Sequence, residues 1–154
     1  TFNGDKVAAT AELMTRYFRT HGPATLRDFA WWAKLPQRLI RPAAENLAPD
    51  IMRCGEVSQD LVSAEIVDMA EARKKQSVLL LGAFDEYILG YQDRLFAMTK
   101  KVHEALVPGN RGVFRRAIVV DGQVRGTWNR KAIEDLGMPG YAQRKVQNLW
   151  RDAQ

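Results

Sequence analysis

Three carboxylates that could act as general acid and base gather in one stretch of this 154-residue sequence: Asp85, Glu86 and Asp93. They lie beside Tyr87 and Tyr91, and positioned carboxyl and phenol groups can move protons to or from a reacting atom. Asp85 and Glu86 are adjacent, so on a helical turn their side chains point apart. This cluster is the basis of one functional hypothesis, a self-contained enzyme.

The same carboxylates allow a second role, the positioning of an arginine. Arg94 directly follows Asp93, and the two residue types suit an ordinary ion pair or a cap. Asp85 or Asp93 would then orient an arginine that contacts a phosphate. Because spacing alone does not make a catalytic site, positioning is favoured over catalysis.

Few other residues are suited to chemistry. Cys54 is the single cysteine, so it has no partner for an internal disulfide, and no histidine adjoins it to activate the thiol. Two histidines, His21 and His103, are too few for clustered zinc ligands. His21 ends a predicted helix, where we expect it to stabilise the terminal carbonyl groups. No metal and no cofactor are expected.

The charge distribution favours a polyanionic partner. The formal net charge is +5. Residues 1–68 carry 8 Lys and Arg against 9 Asp and Glu, whereas residues 69–154 carry 15 against 9. The positive excess lies in the second half, and double-stranded DNA is the expected partner. No apolar run approaches membrane-spanning length, so we expect a cytoplasmic protein, associated with the nucleoid when bound to DNA, that contacts no membrane.

Periodicity predicts three helices in the first half. Residues 8–20 carry apolar side chains at helical spacing, and the His-Gly-Pro sequence at 21–23 stops that helix. Thr25 is predicted to cap a second helix that ends near residue 34, with Asp28 completing a variant of the capping box. A third helix is predicted over residues 37–48.

The third helix has two distinct faces. Its apolar side chains fall within one sector at 100° per residue, and they are Leu39, Ile40, Ala43, Ala44 and Leu47. Arg38, Arg41 and Glu45 project to the opposite side. Pro42 removes a helical hydrogen bond, so the sequence predicts either a kink or a helix that begins near Ile40.

Two short strands, residues 51–57 and 61–67, are predicted around a turn at 58–60. Three helices followed by a hairpin is the element order of a winged helix-turn-helix, in which the third helix reads the major groove and the hairpin touches the DNA backbone. A polar stretch at 71–76 indicates a linker.

The second half contains a clear hairpin. Residues 77–82 predict a buried strand and residues 83–89 a helical turn. Residues 114–128 predict two strands joined by Asp121-Gly122, a favoured two-residue turn. That loop would pair Ile118 with Arg125 and Arg116 with Thr127. One face would carry Val119, Val124 and Trp128, with Gly126 leaving room for the indole, and the other would carry Arg116, Gln123, Arg125 and Thr127. This second face would meet phosphate or simply be solvated.

The predicted fold class is therefore α+β. A winged helix-turn-helix domain over residues 1–70 precedes a small antiparallel β-sheet subdomain over residues 77–154. Residues 141–153 place apolar side chains on one helical face and predict a C-terminal helix packed on that subdomain.

Three stretches share their order and residue types with a known family: residues 16–25 with 28–32, residues 80–94, and residues 119–128. The second is the most specific, because Phe-Asp-Glu-Tyr at 84–87 followed by Gly-Tyr-x-Asp-Arg at 90–94 is an unusual combination. These stretches resemble the C-terminal half of the winged-helix DNA-binding family that includes the bacterial DNA glycosylases acting on alkylated bases and interstrand crosslinks.

The resemblance implies tandem winged helices around a concave DNA-facing surface, in proteins about twice this length. It also implies that catalysis rests on a glutamine pair, or a glutamine and an aspartate, separated by one residue in an N-terminal half that is missing here. Gln143 and Gln147 lack that spacing, so no catalytic residue carries over to this chain. Past Trp128, where the family suggests more strand, the match fades.

The leading hypothesis is a DNA-binding module that grips duplex DNA mainly through phosphates. The candidate contacts are Gln37, Arg38, Arg41, Arg53, Arg111, Arg116 and Arg125. A first alternative is a winged helix that contacts another protein through Trp31 and Trp32 without touching DNA. Whether the chain is itself an enzyme is left open, although the full-length protein would be a glycosylase.

Overall fold

A computed structural model of the protein describes residues 4–53, 61–63, 65–67 and 76–153. The chain divides into two compact units, Thr1–Arg73 with Gly90–Gln92, and Lys74–Leu89 with Asp93–Gln154. The proposed boundaries at 70 and 77 flank this division, but the return of residues 90–92 to the first unit was not anticipated. Cys54, the predicted turn at 58–60 and linker residues 71–75 lie outside the described residues.

The first unit begins with three helices, as predicted. They are α1 (Lys6–His21), α2 (Leu26–Ala33) and α3 (Gln37–Ala43), and a 3-10 turn (Ala44–Asn46) follows α3. Asp5 caps α1, since its carboxylate accepts hydrogen bonds from the backbone N–H groups of Val7 and Ala8 at 2.9 and 3.0 Å. The capping supplies partners for amides that a helix start leaves without one.

The predicted capping box of α2 is confirmed. The Thr25 hydroxyl accepts from the Asp28 N–H at 3.1 Å, and the Asp28 carboxylate accepts from the Thr25 N–H at 3.0 Å. At the other end Lys34 adopts a left-handed conformation with φ of 55°, which ends the helix.

Helix α3 is shorter than predicted. It begins at Gln37, not near Ile40, and gives way to the 3-10 turn after Ala43. Pro42 lies within its last turn and has no N–H to bond to the carbonyl four residues earlier, so a tighter turn replaces a further α-helical turn. Ile40 and Ala43 are fully buried, whereas Arg38 and Arg41 are exposed, as the helical periodicity predicts.

A two-stranded antiparallel sheet follows these helices. Strand β1 (Ile51–Arg53) pairs with β2 (Leu61–Ser63), and Met52 lies opposite Val62. The prediction of a strand to residue 67 is wrong, because residues 65–67 are helical. The Ser63 hydroxyl accepts from the Ile66 N–H at 3.4 Å, a local contact that favours a helical turn over continued sheet. The core beneath is made of fully buried Met14, Phe18, Phe29 and Ile40.

The second unit contains a four-stranded antiparallel sheet in the order β3-β4-β5-β6. The strands are β3 (Val78–Leu80), β4 (Arg116–Val120), β5 (Gln123–Trp128) and β6 (Ile133–Asp135). The helices of this unit are α4 (Glu86–Leu89), α5 (Lys100–Leu106), a 3-10 turn (Pro108–Asn110) and the C-terminal α6 (Gly140–Asp152). The protein is therefore a mixed α+β chain with two antiparallel sheets and a C-terminal helix.

The predicted register of the β4–β5 hairpin is right at the turn and wrong beyond it. Val120 pairs with Gln123 and Val119 with Val124, but the register shifts between Ile118 and Val119. Arg125 is the extra residue of a β-bulge. Ile118 consequently faces Gly126, and Arg116 faces Trp128, one residue beyond the predicted partners.

Both faces of this sheet are covered, so the predicted exposed arginine face is wrong. Ala117, Val119 and Val124 pack with Val102 and Leu106 of α5. On the other face, Val78, Ile118 and Val120 pack with Ala142 and Val146 of α6, and Trp128 lies at the margin of that cluster. The C-terminal helix buries the face that the alternation pattern alone left to solvent.

Candidate functional site

Asp85 and Asp93, two of the three carboxylates near residue 90, bind nearby backbone N–H groups. Asp85 accepts from the Tyr87 N–H at 2.9 Å, and its carbonyl receives the N–H groups of Ile88 and Leu89 at the start of α4. Asp93 accepts from the Leu95 N–H at 2.8 Å. In the described part of the chain neither aspartate contacts an arginine. Both carboxylates therefore cap local turns, and neither geometry supports the positioning role considered from the sequence.

The two tyrosines of the motif donate to backbone carbonyls. The Tyr87 hydroxyl donates to the Gly122 carbonyl, and the Tyr91 hydroxyl donates to the His21 carbonyl, both at 2.6 Å. The His21 ring stacks on Tyr17 with centroids 4.6 Å apart, and its Nδ1 lies 2.8 Å from the Thr20 hydroxyl. These contacts give the unusual motif a packing role within the units.

Residues 90–92 are held to the first unit by three hydrogen bonds. The Tyr17 hydroxyl donates to the Gly90 carbonyl at 2.8 Å, the Tyr91 hydroxyl reaches His21, and the Gln92 N–H donates to Asp28 Oδ1 at 2.9 Å. Asp28 is 8% exposed and uses its other oxygen in the capping box of α2. One carboxylate thus ties the start of α2 to a segment 64 residues later in the chain.

Arg94 belongs to the second unit and is partly buried. Its Nε donates to the Ile88 carbonyl at 2.9 Å, and its guanidinium carbon lies 5.1 Å from the Phe114 ring centroid. Burial lowers the pKa of the Arg94 guanidinium, which nevertheless stays charged at any physiological pH. The motif arginine is therefore fixed over an aromatic ring.

The Asp121-Gly122 turn is anchored at its aspartate. Both residues have positive φ, 49° and 80°, as a primed hairpin turn requires. The Asp121 carboxylate accepts from the Tyr141 hydroxyl and from the Ser77 N–H. The Tyr141 hydrogen bond is the main reason that the pKa of Asp121 lies below its usual range. The hairpin end is thereby joined to β3 and α6.

The predicted arginines of the first unit lie on exposed surfaces. Gln37, Arg38 and Arg41 are exposed on α3, and in the described residues neither arginine pairs with a carboxylate. Arg53 is exposed on β1, and with Arg27 it lines a cleft of about 610 Å³ beside Thr25, Glu45 and Leu47. Sequence reasoning missed Arg27, whose signal was its position on the polar side of α2.

The predicted arginines of the second unit do not share one face. Arg111 is exposed beside the 3-10 turn. Arg116 lies over Trp128, with 4.7 Å from guanidinium carbon to ring centroid, and Arg125 lies half-buried at the bulge. Arg115, missed by the sequence reasoning, pairs with Glu134 at 3.2 Å. The adjacency of Arg115 to Arg116 in the hairpin pattern was the available signal.

The tryptophan pair of the protein-interaction alternative is partly used within the first unit. The Trp32 ring packs 5.1 Å from Tyr17 and 6.2 Å from Phe29, centroid to centroid. The Lys34 ammonium lies 3.9 Å from the centroid of the Trp31 ring. Trp32 consequently contributes to an aromatic core and is partly buried there.

In residues 4–53, 61–63, 65–67 and 76–153, no three His, Cys, Asp or Glu side chains come together as metal ligands. Over the same ranges, no helix has the length and apolar character needed to cross a membrane.

Comparison with known proteins places this chain in a family. The model of the AlkZ-like DNA glycosylases matches residues 3–151, nearly the whole chain. The chain belongs to the AlkZ-like DNA glycosylase family. This membership confirms the resemblance to DNA glycosylases that the three sequence stretches indicated.

A solved structure shares the fold of this AlkZ-like chain. The Streptomyces sahachiroi DNA glycosylase AlkZ superimposes with a TM-score of 0.72 at 21% sequence identity. The match covers 90% of this chain and 41% of that protein, so this chain spans less than half of its length. No protein of curated function matches the sequence.

Proposed function

We propose that this chain is a duplex-DNA-binding module of an AlkZ-like DNA glycosylase, corresponding to the C-terminal part of such a protein. In this proposal α1, α2, α3 and the β1–β2 pair form a winged helix-turn-helix, and α3 faces the major groove. The order of these elements and the exposed polar side of α3 support it. Family membership supplies the link to DNA repair.

One observation carries the proposal: in the described residues the two arginines of α3 have no carboxylate partner, whereas both arginines of α1 have one. On α1, Arg16 contacts Glu12 and Arg19 contacts Asp50, each at 2.8 Å. On α3, Arg38 and Arg41 are exposed and have no carboxylate partner in the described part of the chain. An arginine left without a counter-ion is available for a phosphate.

Further phosphate contacts come from Arg53 in the first unit and from Arg111, Arg116 and Arg125 in the second. Such contacts give affinity and orientation without sequence choice. Gln37, exposed at the start of α3, is positioned for a base edge if that helix enters the groove. Because six of these seven contacts are to phosphates, the proposed module binds DNA with little dependence on sequence.

Removal of a damaged base is assigned to another part of the protein. The glutamine-containing motif of the related glycosylases is absent from this sequence, and Gln143 and Gln147 lie exposed on α6, four residues apart. In this proposal, the chain holds the duplex while a separate part of the protein extrudes the damaged base and cleaves the glycosidic bond between base and sugar.

Replacing both Arg38 and Arg41 with glutamine tests the proposed interface. Glutamine keeps a polar side chain on the exposed side of α3, so folding should be unchanged. If both arginines contact phosphates, the slope of log K against log salt should fall in magnitude by about 2, with a loss of affinity of about tenfold or more. Fluorescence anisotropy with a labelled duplex measures both quantities.

The matched control replaces Lys6 and Arg16 of α1 with glutamine, since both are exposed and the charge removed is the same. The control should keep the wild-type slope. Equal losses in the two double variants would show that α3 is not the interface.

A further inference from the structure

A second cleft lies entirely within the second unit and has a volume of about 520 Å³. The start of β4, the end of β5 and β6 form it together with two flanking loops. The residues that line it are Ala83, Phe114, Arg115, Arg116, Thr127, Trp128, Asn129, Ala132 and Glu134. None of these except Arg116 belongs to the predicted phosphate contacts. A volume in this range is typical of small-molecule sites.

One arginine–aromatic pair lines this cleft, and a second pair lies beside it with only its ring, that of Phe114, in the lining. The guanidinium carbon of Arg116 lies 4.7 Å from the Trp128 centroid, and that of Arg94 lies 5.1 Å from the Phe114 centroid. Phe84, 55% exposed, lies next to Phe114, with their ring centroids 5.8 Å apart. Layered arginine and aromatic groups are what proteins use to stack unpaired bases.

The Trp128 ring is fixed before any ligand arrives. Trp128 donates its indole N–H to the Leu81 carbonyl at 2.9 Å and packs on the buried cluster beneath α6. Arg94 is fixed by its bond to the Ile88 carbonyl. A rigid platform of this kind loses little conformational entropy when a base stacks on it.

The polar groups of the cleft suit the rest of a nucleotide. Arg115 is neutralised by Glu134, whose carboxylate also accepts from the Thr127 hydroxyl at 3.0 Å. Arg116 has no carboxylate partner in the described part of the chain, so its charge is left for a phosphate. Asn129 accepts two backbone N–H groups through its Oδ1, which orients its amide donors away from that loop.

We propose that this cleft binds one unpaired nucleotide of a DNA strand, with its base stacked on the Arg116–Trp128 pair and an adjacent phosphate on Arg116. A paired base inside a duplex is excluded, because both of its faces are covered by neighbouring bases. The inference rests on the proposed function, DNA binding, and adds the part of the substrate that this unit recognises.

The test measures how tightly the 154-residue chain binds two labelled DNAs that have the same number of phosphates. One is a blunt duplex of about 20 base pairs, and the other is a shorter duplex with a single-stranded overhang of about six nucleotides. The chain should bind the overhang DNA about fivefold more tightly or better, the effect of stacking one base. Arg116→Gln should remove that preference.

Arg144→Gln is the matched control. Arg144 is exposed on α6 and lies outside the cleft lining, and its substitution removes the same charge. This variant should bind both DNAs less tightly by the same factor and keep the preference for the overhang DNA. Equal affinity of the wild type for both DNAs, or an equal loss of preference in both variants, overturns this inference and leaves duplex binding standing. Failure to bind either DNA at low salt overturns the proposed function and this inference together.

Discussion

Asp28→Ala is expected to lower the free energy of unfolding by about 3 kcal/mol, a large part of the stability of a typical domain. The carboxylate accepts hydrogen bonds from the Thr25 N–H, the Thr25 hydroxyl and the Gln92 N–H at 3.0, 2.7 and 2.9 Å. Its removal leaves the Thr25 and Gln92 amides without acceptors in a part-buried place, at about 1–3 kcal/mol for each orphaned group. Alanine recovers only about 0.5 kcal/mol through its higher helix propensity.

Two controls separate this effect from an ordinary cap. Asp5→Ala removes an exposed cap of α1, whose amides can turn to water, and should cost about 1 kcal/mol. Asp28→Asn keeps one acceptor oxygen and should fall between wild type and Asp28→Ala. Urea denaturation followed by circular dichroism measures all three. A loss no greater for Asp28→Ala than for Asp5→Ala would mean that the Gln92 bond contributes nothing to stability.

Gly126→Ala is expected to destabilise the second unit by about 2 kcal/mol. A Cβ at this position would lie 2.6 Å from the Glu134 carbonyl oxygen and 3.2 Å from the Ile118 side chain. The oxygen belongs to the backbone of the adjacent strand β6, so relief requires the β5–β6 pairing to shift. In an open strand the same change would be favourable by about 0.5–1 kcal/mol, because alanine orders at lower entropic cost than glycine.

Gly140→Ala is the matched control for this substitution. Gly140 is the first residue of α6, and nothing lies within 4 Å of a Cβ built there. Alanine at this position should be neutral or stabilising by up to about 1 kcal/mol. Thermal unfolding of the two variants gives opposite signs if the close approach of β6 is real, and equal small shifts would contradict it.

The sequence was sufficient where a structure depends on near neighbours. The Thr25–Asp28 capping box spans three residues, and the exposure of Arg38 and Arg41 follows from helical periodicity. The Asp121-Gly122 turn is likewise set by two residues that tolerate positive φ. Each of these was predicted because the competing conformations cost free energy locally.

The sequence was insufficient where contacts between distant segments determine the structure. The bulge at Arg125 sets Gly126 opposite Ile118. The adjacent strand β6 approaches Gly126 too closely for any residue but glycine. Alternation along β4 and β5 contains no information about β6 or about α6, which covers the face predicted for the arginines. The prediction of one exposed face shared by Arg116 and Arg125 was wrong for this reason.

The candidate site shows the same division. Residue types near position 90 suggested acid–base chemistry, but the partners of Asp85, Asp93, Tyr87 and Tyr91 are backbone groups that no local pattern specifies. Conversely, the cleft of the second unit joins Ala83 with Phe114 and Trp128, which are separated along the chain by up to 45 residues. Its parts were visible in the sequence, but their proximity was not.

The central claim, that this chain grips duplex DNA through phosphates, is tested most directly by the salt dependence of its affinity for a labelled duplex. If the six candidate arginines all contact phosphates, log K should fall linearly with log salt at a slope of about −5, and affinity should drop by about 10³ between about 50 and 200 mM. An affinity that barely changes over this range, or no binding at the lowest salt, would contradict the account.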